Sequence, residues 1–123
     1  MKNFFLVSLI SLCVYSSSCT KEGPRGKALI KGYVKHHSTL IPGATVYIKY
    51  GTKDFPGSNT QYYNSSTVCN SNAYFEFKDM QKGNYYLFGI GFDSTFVKDV
   101  SGGLPIELKT KTQTLETVVA VTE

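Results

Sequence analysis

Apolar and polar residues alternate with a period of two along most of this chain, in short runs. Ala28, Ile30, Gly32 and Val34 share one face of an expected strand over residues 27–36, and Lys31, Tyr33 and Lys35 share the other. Over 44–50, Ala44, Val46 and Ile48 point one way and Thr45, Tyr47 and Lys49 the other. Phe75 and Phe77 alternate with Tyr74, Glu76 and Lys78 over 73–78. Further strands are expected over 60–68, with weak alternation suited to an edge, and over 85–92, 95–100, 104–109 and 115–121. Between them lie Ile41-Pro42-Gly43, a Gly-, Pro- and Ser-containing loop over 51–59, Ser71-Asn72, the turn Gln81-Lys82-Gly83-Asn84, and Ser101-Gly102-Gly103, where a chain break is expected. No stretch repeats at helical period. The pattern predicts an all-β fold: a single antiparallel Greek-key β-sandwich of about seven strands.

Residues 1–18 do not follow this pattern. Lys2 precedes an apolar run from Phe4 to Val14, then Ser16-Ser17-Ser18, then Cys19. The run is shorter than the roughly 20 residues that span a bilayer. The layout reads as a signal peptide whose removal leaves Cys19 at the new N-terminus. It resembles a bacterial lipoprotein signal, departing from that pattern at Ser16, where an aliphatic residue is usual. The resemblance implies a Cys19 that carries diacylglyceryl on its thiol and a fatty acyl chain such as palmitate on its amine. It further implies a protein anchored by lipid in the bacterial cell envelope, with the outer membrane as the expected location. The competing reading is plain secretion after Ser18. Residues 19–26, Cys-Thr-Lys-Glu-Gly-Pro-Arg-Gly, then read as a flexible tether to a domain over 27–123.

Charge adds little to this picture. Without the leader the chain keeps 12 cationic against 9 acidic residues, a net of +3, and the cations are spread singly. That argues against a nucleic-acid-binding patch. Cysteine usage says more. On the lipoprotein reading Cys13 leaves with the leader and Cys19 is acylated, so Cys69 is left as a lone thiol, expected to be a small buried residue at a strand end; without acylation, a Cys19–Cys69 bridge or a dimer bridge stays open.

Four segments together resemble the carboxypeptidase regulatory-like domains, which are transthyretin-like (prealbumin-type) sandwiches. They are Gly32-Tyr33-Val34; Ile41-Pro42-Gly43-Ala44-Thr45-Val46-Tyr47-Ile48; Ser66-Thr67 leading through Asn72 to Tyr74-Phe75-Glu76-Phe77; and Met80-Gln81-Lys82-Gly83-Asn84-Tyr85-Tyr86-Leu87. The resemblance covers residues 28–92 and implies a scaffold fold rather than an activity. Each matching position has a structural reading. Gly32 allows a neighbouring chain to approach, and Tyr85 buries its ring and ties its hydroxyl to backbone. The family's Asp-Gly turn is Asn72-Ala73 here, with Asn72 expected to take the left-handed conformation.

No catalytic set emerges, and no metal or cofactor is expected. His36 and His37 are adjacent on a strand, so they point to opposite faces, and they are expected to be exposed. Transthyretin-like hydroxyisourate hydrolases use separated His and Arg residues, which this chain lacks. An internal Lys–Asn crosslink of the kind found in adhesin repeats would need an Asn on the last strand opposite Lys31, and none is there. Three softer features remain. Phe55, Tyr62 and Tyr63 on or beside the 51–59 loop form a candidate ligand-binding set, or else cap the core's end. Tyr33, Tyr47, Tyr74 and Tyr86 face outward by parity. Asp93-Ser94-Thr95 fits an O-glycosylation pattern, with Ser94 the candidate acceptor. The function expected is a non-catalytic envelope binding or accessory module whose partner is a glycan, a peptide or an envelope protein. The alternatives are a structural spacer, or a hydrolase if His36 or Cys69 lies beside a carboxylate in a cleft.

Overall fold

The computed structural model describes residues 22–123, so the leader and Cys19 lie outside the described residues. Eight strands form two facing sheets: β1 (Pro24–His36), β2 (Thr39–Leu40), β3 (Thr45–Tyr50), β4 (Ser65–Val68), β5 (Tyr74–Met80), β6 (Gly83–Asp93), β7 (Lys98–Leu108) and β8 (Thr114–Val121). In the first sheet β1 is central, with β5 and the short β2 on one side and β8 on the other. The second runs β4-β3-β6-β7. All pairings are antiparallel except β1 with β8, which is parallel from Leu29↔Thr114 to His36↔Val121. That parallel pair is the departure from the expected antiparallel sandwich.

Period-two burial builds the core. Ile30, Val34, Phe75, Phe77, Val119 and Val121 from the first sheet meet Val46, Ile48, Tyr85, Leu87, Ile106 and Leu108 from the second. Burial of a side chain of this size stabilises by roughly 1.5–3 kcal/mol, so this interior carries the fold.

Several expected boundaries shift. β1 begins at Pro24, so the last three residues of the expected tether are strand. A bulge near this end sets both Pro24 and Ala28 opposite Met80 and throws Arg25 and Lys27 outward. Gly23 is held as well: its N–H donates to Tyr85 Oη at 2.8 Å and its carbonyl accepts from Gln81 N at 2.8 Å. The segment expected as one strand over 60–68 is a 3-10 turn, Thr60–Tyr62, followed by β4. Ser101-Gly102-Gly103 does not break the chain but lies inside β7. A Cβ on Gly102 would sit 2.3 Å from Ala120 O, and one on Gly103 2.3 Å from Leu87 O, so these glycines record close approach rather than a turn. In the turn before β5 it is Ala73, at φ 61°, that adopts the left-handed conformation, not Asn72. Asn70 organises that turn, its Oδ1 accepting from the N–H groups of Asn72 and Tyr74.

Candidate functional site

The outer face of the second sheet carries a cluster of aromatic rings. Strand parity turns Tyr47 of β3 and Tyr86 and Phe88 of β6 away from the core, and Tyr47 sits directly opposite Phe88. Such a face would ordinarily meet water, yet Phe88 is only 4% exposed. The chain between β3 and β4 folds across it. That segment is pinned at both ends: Tyr50 N donates to Asn64 Oδ1 and Asn64 N to Ile48 O, while Lys53 Nζ reaches Glu107 Oε1 at 3.0 Å. Asn59 caps the 3-10 turn through Gln61 N, and Tyr63 Oη donates to Gly57 O at 2.9 Å.

The rings lie within packing distance. Tyr63 stacks on Phe88 with centroids 5.7 Å apart and planes 13° apart, and Tyr47 lies 5.9 Å from Tyr63. Phe55 lies 5.6 Å from both Tyr86 and Phe88. Pairs of this geometry contribute about 0.5–1.5 kcal/mol each beyond their buried area. Burial, reinforced by the neighbouring Tyr86 phenol, pushes the Tyr63 hydroxyl up to about 12, as befits a ring used for packing. Phe55 and Tyr62 remain 55% and 56% exposed. The structure thus brings Phe55 and Tyr63 together around Phe88 and leaves Tyr62 apart on the 3-10 turn. The rings cover a sheet face, not the end of the core. The sequence signal for Phe88 was its parity with Tyr86, two residues before it. Tyr33 and Tyr74 also face outward, but from the other sheet, where their rings pair 5.5 Å apart.

A shallow groove of about 320 Å³ continues from Phe88. Ile90 adds apolar wall, and Ser58, Ser101, Asp99 and Glu123 add hydroxyl and carboxylate groups. An exposed ring, an apolar wall and hydrogen-bonding oxygens therefore share one face.

His36 departs from expectation. It is 1% exposed, and its Nδ1 lies 2.7 Å from Oδ2 of Asp93, which is equally buried. An ionised carboxylate only accepts, so Nδ1 carries the proton. Asp93 Oδ1 also accepts from the N–H groups of Thr95 and Phe96. The sequence hides this pair because its members are 57 residues apart. His36 does lie beside a carboxylate, but both side chains are sealed in rather than open to a cleft, which suits a structural tie between the two sheets. The hydrogen bond from His36, and after it those from the Phe96 and Thr95 amides, hold the Asp93 carboxyl below its ordinary 3.8 against the opposing effect of burial. A depressed folded-state value means that the stabilisation is present above pH 3.8 and is lost as pH falls through the lower folded value. Urea melts of the parent should accordingly weaken on acidification below about pH 4, and Asp93→Asn should flatten that decline. An unchanged acid slope in the variant would remove Asp93 from this role.

Cys69 is buried and, among the described residues, free, and burial pushes its thiol up to about 11, so it is not a poised nucleophile. Ser94 is exposed in the β6–β7 turn. Lys31 sits in register with Glu76 and Glu116. Among the described residues no cluster of three metal-ligating side chains occurs.

No protein-family model matches this chain, and no curated protein matches it. Among solved structures, the major pilin subunit of Bacillus cereus superposes with a TM-score of 0.53 at 12% identity, over 80% of this chain but 30% of that one. The present chain therefore spans about a third of the pilin's length. A candidate carbohydrate-binding protein from Pseudomonas aeruginosa gives a TM-score of 0.47 at 13% identity, over 80% of this chain and 90% of that one. The likeness to the pilin is one of fold: this chain is an all-β sandwich.

Proposed function

We propose that the protein is a lipid-anchored, non-catalytic binding module of the bacterial cell envelope, of the carboxypeptidase regulatory-like type, that takes a glycan on the outer face of the β4-β3-β6-β7 sheet. The exposed Phe55 ring, supported from beneath by Tyr86 and Phe88, is the observation that carries this reading. A sugar ring has an apolar C–H face and an edge of hydroxyls. The aromatic platform suits the first, and the Asp99, Glu123, Ser58 and Ser101 oxygens of the adjoining groove suit the second. The site lies on a loop held by a rigid scaffold, where binding residues commonly reside. The leader and Cys19 support the anchor.

Phe55→Ala should lower affinity for a neutral oligosaccharide found on a glycan array by about tenfold, a loss of ~1.4 kcal/mol, whereas Tyr62→Ala, apart from the platform, should keep it. Their melting temperatures should stay near the parent's, because both rings are more than half exposed. Titration calorimetry measures the first effect and calorimetric melting the second. Full affinity in Phe55→Ala, or no glycan bound at all, would favour the structural-spacer reading.

A further inference from the structure

The end of the sandwich where β1 begins is a cationic groove of about 1000 Å³. Three chain segments converge there: the β1 bulge with Arg25 and Lys27, the β5–β6 turn with Lys82, and the β7–β8 turn with Lys109 and Lys111. All five side chains are exposed. Two carboxylates also line the groove, and both are engaged elsewhere. Glu107 is paired with Lys53 at 3.0 Å, and Glu22 Oε2 accepts from Asn84 N at 3.4 Å. Among the described residues, none of the five cations has a carboxylate within 4.0 Å. The sequence concealed this patch because its cations come singly from separate turns.

Cys19 lies three residues before Glu22, a span of at most about 10 Å even when fully extended. Gly23 is tied to Tyr85 and Gln81, so the chain leaves the domain at a fixed point beside the groove. We infer that the cationic end formed by Arg25, Lys27, Lys82, Lys109 and Lys111 is a membrane-docking surface that rests on anionic phospholipid headgroups. This rests on the reading of Cys19 as the lipid-bearing residue. Charge complementarity and tether length argue for the headgroups as occupant: an anchor this short brings the groove to the bilayer surface, well inside the range of its negative potential. The opposite end, with the exposed Phe96 and Val97, then points away from the bilayer.

The test reconstitutes the mature, acylated chain in vesicles of phosphatidylcholine alone or with phosphatidylglycerol, and maps lysine acetylation by mass spectrometry. Lys27, Lys82, Lys109 and Lys111 should be protected only on the anionic vesicles, and high salt should abolish the protection. Lys35 and Lys98, near the other end, should label alike on both. Equal labelling of the groove lysines in both vesicles overturns the proposal, as does protection by a soluble acidic oligosaccharide but not by vesicles. Intact mass reports acylation of Cys19 separately, so failure of the anchor is distinguishable from failure of the surface. An unacylated mature chain should still partition onto phosphatidylglycerol vesicles, and Lys82→Gln/Lys109→Gln/Lys111→Gln should weaken that on the order of 100-fold, at roughly fivefold per cation. No partitioning of the unacylated chain, or a variant that binds like the parent, also overturns it.

Discussion

Gly32→Ala is expected to destabilise the domain by about 3 kcal/mol, at the upper end of what overpacking costs. Gly32 lies in the middle of β1, opposite Phe75 on β5 and Thr117 on β8. A Cβ there would fall 1.9 Å from Thr117 O and 2.8 Å from Thr117 C. These are backbone atoms of the parallel partner, so no rotamer change relieves the clash and β8 must move outward. Moving it would uncover Val119 and Val121, two core residues of that strand. In a domain of about 100 residues, 3 kcal/mol lowers the melting temperature by roughly 12–24 °C. Gly43→Ala is the informative control. Gly43 has φ 74°, but nothing lies within 4 Å of its would-be Cβ, so that variant bears only backbone strain, about 1–2 kcal/mol. If thermal melts showed Gly32→Ala to cost no more than Gly43→Ala, close approach of β8 would not be the reason for glycine at position 32.

Gly32 also shows what a sequence can reveal. Its place on an otherwise apolar strand face implies a close neighbour, and alternation alone locates β1, β3 and β5, because a half-buried strand must repeat every two residues. Gly102 and Gly103 obey the same physics, but in sequence two consecutive glycines signal a turn as readily as crowding. Which of the two holds depends on Ala120 and Leu87, whose carbonyls come near only in the folded chain. The His36–Asp93 pair was hidden for a similar reason: a histidine at a strand end looks solvated until its partner is known. The candidate site was half legible. Phe55, Tyr62 and Tyr63 stood out as aromatics amid loop residues, but the ring that organises two of them, Phe88, looked like an ordinary outward strand position. The cationic end was not legible, because it is assembled by topology.

Tyr85→Phe is expected to cost about 1–3 kcal/mol although it removes a single oxygen. The ring would stay, keeping its edge-to-face contact with Tyr50 at 5.8 Å. The hydroxyl, however, accepts from Gly23 N at 2.8 Å and donates to Gln81 O at 2.6 Å. Phenylalanine would leave the buried Gly23 N–H without its acceptor and the Gln81 carbonyl without its donor, and an unsatisfied buried group bears its full desolvation cost. The damage should concentrate where the chain enters the domain. Hydrogen exchange at Gly23 should accelerate to nearly the rate of an open chain, while amides in the middle of β6 stay protected. Burial already holds the Tyr85 phenol above its ordinary 10.0. A raised folded-state value means that this stabilisation is present below pH 10 and declines as pH rises through the folded value, an alkaline decline that Tyr85→Phe should make shallower. Since Gly23 is four residues from Cys19, this hydroxyl would also fix where the proposed anchor on Cys19 joins the sandwich. The variant should therefore loosen the protection of Lys27 and Lys82 on anionic vesicles even though no cation has been changed. A Tyr85→Phe protein with parental stability and parental exchange at Gly23 would mean that the hydroxyl does not hold the N-terminal segment in place.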